Sequence, residues 1–461
     1  MEPAPPRSDP DPARAWSPYV PARDGAWDRA RVAHLHRRAG FAPCWATLER
    51  DVQDGPSASI DRVLAGEARS VDGQPAAAFD AFADAMAAGV GVSGGLPTLQ
   101  AAWFHRMFLT PHPLLERLTL FWHGHFATSD AKVRDAGMMA AQHALIRTHA
   151  LGSFRDLLDG MARDPAMLTW LDATTNRKGH ANENFAREVM ELFTLGRGQY
   201  TERDVQEAAR AYTGSIVTGG QSREVASQHD GGAKTIFGQT GTFRLEDMTR
   251  LLLDHPSCAG FLCGKLYRLL VSDAETPTPA LLAPLARAYR DSDYDVKVPV
   301  GLILRSRLFH DPATRRKRVK GPVEFAVGAV RALEIVRPTV SARALSEACA
   351  RMGQALFAPP SVAGWEGGQA WINTTALLAR SNLALAFLSA SDAAFGKRLD
   401  PGALAARNGR GGGGDVAAFY ADLLVQDGFG AALRERLTTA AKGEPARAVE
   451  LVLTSPEFQL A

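Results

Sequence analysis

The stretch from His180 to Thr213, HANENFAREVMELFTLGRGQYTERDVQEAARAYT, constrains the fold of this chain more than any other. It predicts two helices joined by a short turn. The first runs from Asn182, a helix-capping residue type, to Leu195, with Glu183 in the first turn where the helix dipole favours negative charge. Gly196 can close it in the left-handed conformation. The second starts at Thr201, with Asp204 three residues on in a capping-box arrangement, and ends by Gly214. On a helical wheel of about 100° per residue, Phe185, Ala186, Val189, Met190, Leu192, Phe193 and Leu195 cover more than half the circumference, so the first helix is mostly buried. Glu188 falls inside that apolar arc. A buried carboxylate needs a cation, a metal or a hydrogen-bond partner, or it takes up a proton. Three readings stay open: an ion pair with Arg210 of the second helix, a metal or acid–base role, or partial exposure.

Helical periodicity extends through most of the chain. Segments 27–39, 44–64, two helices split at 110–113, 136–171, 245–253, 258–271, 280–290, 300–309, 323–336 and 342–356 all fit helices. No segment alternates convincingly as a strand, so the predicted fold is all-α, a large multi-helix orthogonal bundle with long irregular loops. A Pro-, Asp- and Arg-rich leader, residues 1–25, reads as disordered. Residues 26–461 read as one large helical domain, with a sub-boundary candidate near 311–320 and a flexible Gly-rich loop at 405–415. LILRSRLFHDP (302–312) and LVLTSPEFQLA (451–461) share an L-x-L-x-S-x-x-F pattern, too little for a repeat architecture.

Composition excludes several classes. The net charge of +2 over 461 residues gives no global signal for nucleic acid or a membrane surface. The basic run Arg315, Arg316, Lys317, Arg318, Lys320 lacks interleaved aromatics and reads first as a solvated face. Residues 85–104 are uncharged, but glycines and Pro97 interrupt them, so no membrane span is expected. The leader lacks the apolar core of a signal peptide, which points to a cytoplasmic location. Cys44, Cys258, Cys263 and Cys349 form no CxxC and read as free thiols.

Chemistry-bearing residues gather in two further places. Residues 215–241 read as a long irregular loop that carries His229, Asp230, Gly231, Gly232 and Lys234, the groups for proton transfer and anion binding; a plain chain reversal at Asp230–Gly231 is the competing reading. In FWHGHFA, His125 shares a helix face with Leu114, Leu118 and Phe121, while His123 lies opposite with Glu116. That makes His125 a core histidine before a ligand.

The blocks HLHRRAGF, FWHGHFA, NENFAREVMELFTLGRGQYTERDVQEAARAYTG, HDGGAKTIFG, VKGPVEF, MGQALFAPPSVAGW and WINTTALLAR, in this order, resemble the bacterial family called domain of unknown function 1800 across roughly residues 30 to 461. The resemblance carries no established activity. It implies that Glu183, Arg187, Glu188, Glu191, Asp204, Arg210, His125, His229, Asp230 and Lys234 lie in family blocks. It also implies a sulfatase-like family as a candidate partner, and export as the alternative to a cytoplasmic location.

Two functional expectations follow. In the first, Glu188, Glu191, His229 and Asp230 are catalytic, and Lys234, Arg210 and Arg187 hold a substrate anion. Glu188, His229 and His125 would then ligate a divalent metal for hydrolysis or oxidation, although no HExxH or ExxH motif accompanies them. In the second, the chain is a non-catalytic helical scaffold or partner-binding protein. Glu188–Arg210 and Arg187–Glu191 would be the centre of a buried salt-bridge network.

Overall fold

A computed structural model describes residues 11–89, 95–336, 340–389, 399–412 and 415–461. It is mostly helical, as expected. Residues 1–10 of the leader, most of the glycine-rich run at 89–95 and residues 413–414 of the Gly-rich loop lie outside the described residues.

The chain divides into two units. One comprises Met1–Ala26 and Thr148–Thr314; the other comprises Trp27–Arg147 and Arg315–Ala461.

In the first unit, residues expected to belong to the leader form two short helices, Pro12–Ala15 and Pro21–Asp24. Asp11 caps the first, proline starts both, and the Trp16 indole donates to the Leu281 carbonyl at 2.7 Å. Helix Pro256–Leu270 packs on Pro279–Asp291, and Phe154–Arg163 packs on Leu245–Asp254. Their apolar faces, including Phe154, Leu157, Leu252, Leu262, Leu266 and Leu285, are buried.

The expected irregular loop at 215–241 is instead two antiparallel hairpins. Ser215–Thr218 pairs with Gln221–Glu224, and Lys234–Ile236 pairs with Gln239–Gly241. Each closes through two residues of positive φ: Gly219 (59°) with Gly220 (73°), and Phe237 (50°) with Gly238 (77°). Such two-residue turns match the right-handed twist of paired strands. The turn chemistry overrode the absence of an alternating pattern.

In the second unit, helix Gly95–Leu109 packs on Pro322–Ala332 and Ala342–Arg351. Arg29–Arg38 packs on Trp45–Ala65, which kinks at Gly55. In helix Pro113–His125, Glu116 is fully buried and accepts from the Trp103 indole (3.0 Å) and Arg147 (2.7 Å). His123 and His143 are buried with ring nitrogens 3.1 Å apart. Burial pushes both imidazoles down, His123 to about 3, so both are neutral. Gly124 of the same helix meets Gly364 so closely that a Cβ on Gly364 would stand 2.3 Å from the Gly124 carbonyl oxygen.

The basic run is not a solvated face. Only Lys317 of the five is exposed. Arg315 and Arg316 pair with Asp427, and the Lys320 amine donates to the Phe458 carbonyl at 2.7 Å. Arg318 grips Glu324 with two bonds of 2.6 and 2.7 Å. Glu324 also pairs with Arg117 and accepts the Gly321 amide at 2.7 Å. Arg318 and Arg117 follow a carboxylate that the VKGPVEF block buries, a pairing no local pattern displays.

The L-x-L-x-S-x-x-F echo has a local meaning. In both copies a helix ends and the serine caps a following short turn: Ser306 accepts from Phe309, and Ser455 from Phe458. Each serine hydroxyl also donates three residues back, to Ile303 and Val452.

Candidate functional site

The central helix of the first unit starts as the sequence predicts, with the Asn182 side chain accepting the Asn184 amide at 3.0 Å. After Glu183–Glu188 it widens into a π-helical stretch, Val189–Thr194. The amides of Leu195 and Gly196 both donate to the Met190 carbonyl, at 2.8 and 3.2 Å. Gly196 then leaves the helix at φ 84°, where a Cβ would meet the Phe261 ring. The Leu192 carbonyl turns to the Lys265 amine at 2.9 Å, and burial lowers that amine to about 8. π-turns of this kind gather at functional sites.

Glu188 is half-buried, and among the described residues no hydrogen bond or ion pair reaches its side chain. Burial, then the nearby Glu191, raises its carboxyl. Glu191 goes the other way. It accepts from Arg197 (2.6 Å) and Tyr200 (2.8 Å), and the Arg197 bond holds its carboxyl down. Two carboxyls three residues apart are thus pushed in opposite directions.

The two ion pairs expected here, Glu188–Arg210 and Arg187–Glu191, do not form. Arg187 instead bridges Glu183 (3.0 Å) and Glu202 (2.7 Å), because the turn after Gly196 brings the start of the next helix alongside. Arg210 takes Asp230 with two bonds of 2.7 and 3.2 Å and Glu207 at 2.7 Å. These pairs are part-exposed rather than a buried network, so each contributes little stability.

The second helix, Glu202–Ala211, begins with the predicted capping box between Thr201 and Asp204. It ends at a knot that positions His229. Thr213 donates its hydroxyl to the Arg210 carbonyl (2.7 Å) and accepts the Asp230 amide (2.8 Å). Gly214, at φ 93°, leaves room for His229: a Cβ there would lie 3.1 Å from both the His229 nitrogen and the Val225 oxygen. His229 Nδ1 lies 3.0 Å from the Thr213 carbonyl. A carbonyl only accepts, so Nδ1 carries the proton and the Nε2 lone pair is left available in the neutral ring. The Arg210 bond holds the Asp230 carboxyl down at about 2. Lys234 is buried, and its amine donates to the carbonyls of Asp230 (2.5 Å) and Gly232 (3.0 Å). Those carbonyls occupy the amine that the sequence offered to a substrate anion.

His229 lines a cavity of about 180 Å³ together with Thr213, Ser222, Arg223, Glu224 and Arg244. Arg244 pairs with Glu224. Arg223 has no ion pair among the described residues. Sequence reasoning missed these hairpin residues; the Gly219–Gly220 turn was the signal that would have placed them.

His125 belongs to the other unit, where its buried ring packs on Trp122 and Phe126 with centroids 5.1 and 4.5 Å apart. Among the described residues, no group of three or more His, Cys, Asp or Glu side chains is arranged to hold a metal ion. Glu188 and His229 belong to the first unit and His125 to the second, and no such group includes any of them. No helix among the described residues is long and apolar enough to cross a membrane.

The molecule is thus a mostly helical protein with a cavity in one unit lined by a histidine from the segment between two hairpins. It belongs to the family described as protein of unknown function (DUF1800), whose model matches residues 34–460. Comparison with curated proteins and with solved structures finds no match.

Proposed function

We propose that the first unit is a hydrolytic site for a small anionic substrate, with His229 as the general base. The observation that carries this reading is the His229 bond to the Thr213 carbonyl, which leaves Nε2 as an acceptor on a residue that lines an arginine-rimmed cavity. Nε2 would take a proton from an attacking water, and Arg223 would hold the substrate's negative charge. Asp230, Arg210 and Lys234 act here as the frame of the turn that presents His229.

The alternative of a non-catalytic scaffold draws support from the pairing of Arg187, Glu191, Arg210 and Asp230. Turnover of p-nitrophenyl acetate, phosphate and sulfate separates the two. Turnover of a charged ester, with kcat/KM falling about a hundredfold or more in His229→Ala, is the expected result. KM should rise in Arg223→Ala. No turnover of any ester, or equal rates in a His229→Ala variant of unchanged Tm, would leave the scaffold reading in place.

A further inference from the structure

The HLHRRAGF block takes no part in the site above, yet it walls a cavity of its own in the second unit. That cavity, about 420 Å³, lies in the size range of small-molecule sites. Phe41, Pro43, Val71 and Pro113 give it an apolar lining, and His36, Cys44, Arg50, Glu67 and Arg331 bring polar groups to it.

The charges on its wall are unequal. Glu67 is neutralised by Arg50 at 2.7 Å. His36 is bound to the fully buried Asp51 at 2.7 Å, and Asp51 is matched again by Arg50 (2.8 Å) and Arg62 (2.5 Å). Arg331 has no carboxylate partner among the described residues. One of its nitrogens, Nη1, reaches the carbonyls of Met107 (3.2 Å), Phe108 (2.9 Å) and Thr110 (3.3 Å), at and just beyond the end of helix Gly95–Leu109. Those bonds fix the guanidinium, and its other nitrogens have no hydrogen bond among the described residues. Cys44 lines the same cavity as this cation, at the N-cap of helix Trp45–Ala65, with its sulfur 3.3 Å from the Thr47 hydroxyl. It is half-buried, whereas the other three cysteines are buried.

We propose that this cavity binds a small organic carboxylate, its head group on Arg331, its apolar body against Phe41, Pro43 and Val71, and the Cys44 thiol alongside. A fixed planar guanidinium with free N–H groups suits a carboxylate.

Cys44 makes the site readable in the intact chain. Its thiolate displaces iodide from iodoacetate or iodoacetamide, forming a C–S bond as the C–I bond breaks, with the thiol proton released to solvent. Iodoacetate carries the carboxylate; iodoacetamide is its neutral counterpart. Rates at the Cys44 peptide are followed by mass spectrometry for native protein and for the same chain in urea. The iodoacetate-to-iodoacetamide rate ratio should be about tenfold higher in the native chain, and Arg331→Gln should return it to the unfolded value. A native ratio equal to the unfolded one, or a raised ratio that survives Arg331→Gln, overturns the proposal. Should Arg331→Gln not fold, protection of wild-type Cys44 from iodoacetamide decides. Protection by butyrate and not by butyramide supports the site, and no protection by butyrate overturns it.

Discussion

Glu324→Gln puts the buried charge cluster of the second unit to a quantitative test. Burial pushes the Glu324 carboxyl up, but Arg117 and Arg318 outweigh it and hold the group at about 2, against an ordinary value of 4.5. At about 1.4 kcal/mol per tenfold, a fall of that size corresponds to about 3 kcal/mol of stability. The folded value lies below the unfolded one. The contribution is therefore fully present above pH 4.5 and is lost as pH falls through about 2. Glutamine keeps the shape and can still accept the Gly321 amide, but it leaves Arg117 and Arg318 without their shared counter-charge. Breaking a buried pair in this way costs about 3–5 kcal/mol at neutral pH. Urea midpoints of wild type and variant, taken from pH 7 to pH 3 on the transition that the substitution shifts, give the comparison. The gap between them should narrow by about 2 kcal/mol by pH 3. A gap that stays constant over that range would refute the assignment of the stability to this carboxylate's charge.

Two backbone positions give further tests. Gly364→Ala would place a Cβ 2.3 Å from the Gly124 carbonyl oxygen at a φ of 83°, and should cost about 2–5 kcal/mol in chemical denaturation. Gly214→Ala meets backbone on two sides at φ 93°. It should cost about 1–3 kcal/mol and, by displacing His229, lower any ester turnover that His229 supports.

The features legible in the sequence were those decided locally. Asn182, Thr201 with Asp204, and Gly196 act within a few residues of where they stand, and each marks the helix end it was expected to mark. The hairpins were also local, but their signal lay in turn residues, not in strand alternation. Strands of three or four residues are too short to show a period, so Gly219–Gly220 and Phe237–Gly238 held the information. Charge pairing was not legible. Arg187, Arg210 and Arg318 each had several acids within sequence reach, and the choice among them depends on which helix start or hairpin lies alongside. The π-turn at Val189–Thr194 was hidden for a related reason: its apolar residues satisfy an α-helical wheel equally well. The His229 position was visible as a cluster of chemistry-bearing residues, while the carbonyl that sets its tautomer, Thr213, was not.

The division of the chain has a consequence for synthesis. The second unit is drawn from two stretches, Trp27–Arg147 and Arg315–Ala461, with Thr148–Thr314 between them. At roughly 5–20 residues per second, a ribosome needs on the order of ten to thirty seconds to pass the intervening stretch. Throughout that delay Leu99, Trp103 and Phe104 lack the Pro322–Ala332 helix that later packs on theirs. The nascent Trp27–Arg147 stretch therefore keeps that apolar face uncovered until the last third of the chain is made, while Thr148–Thr314 emerges as one continuous run able to close its own contacts first.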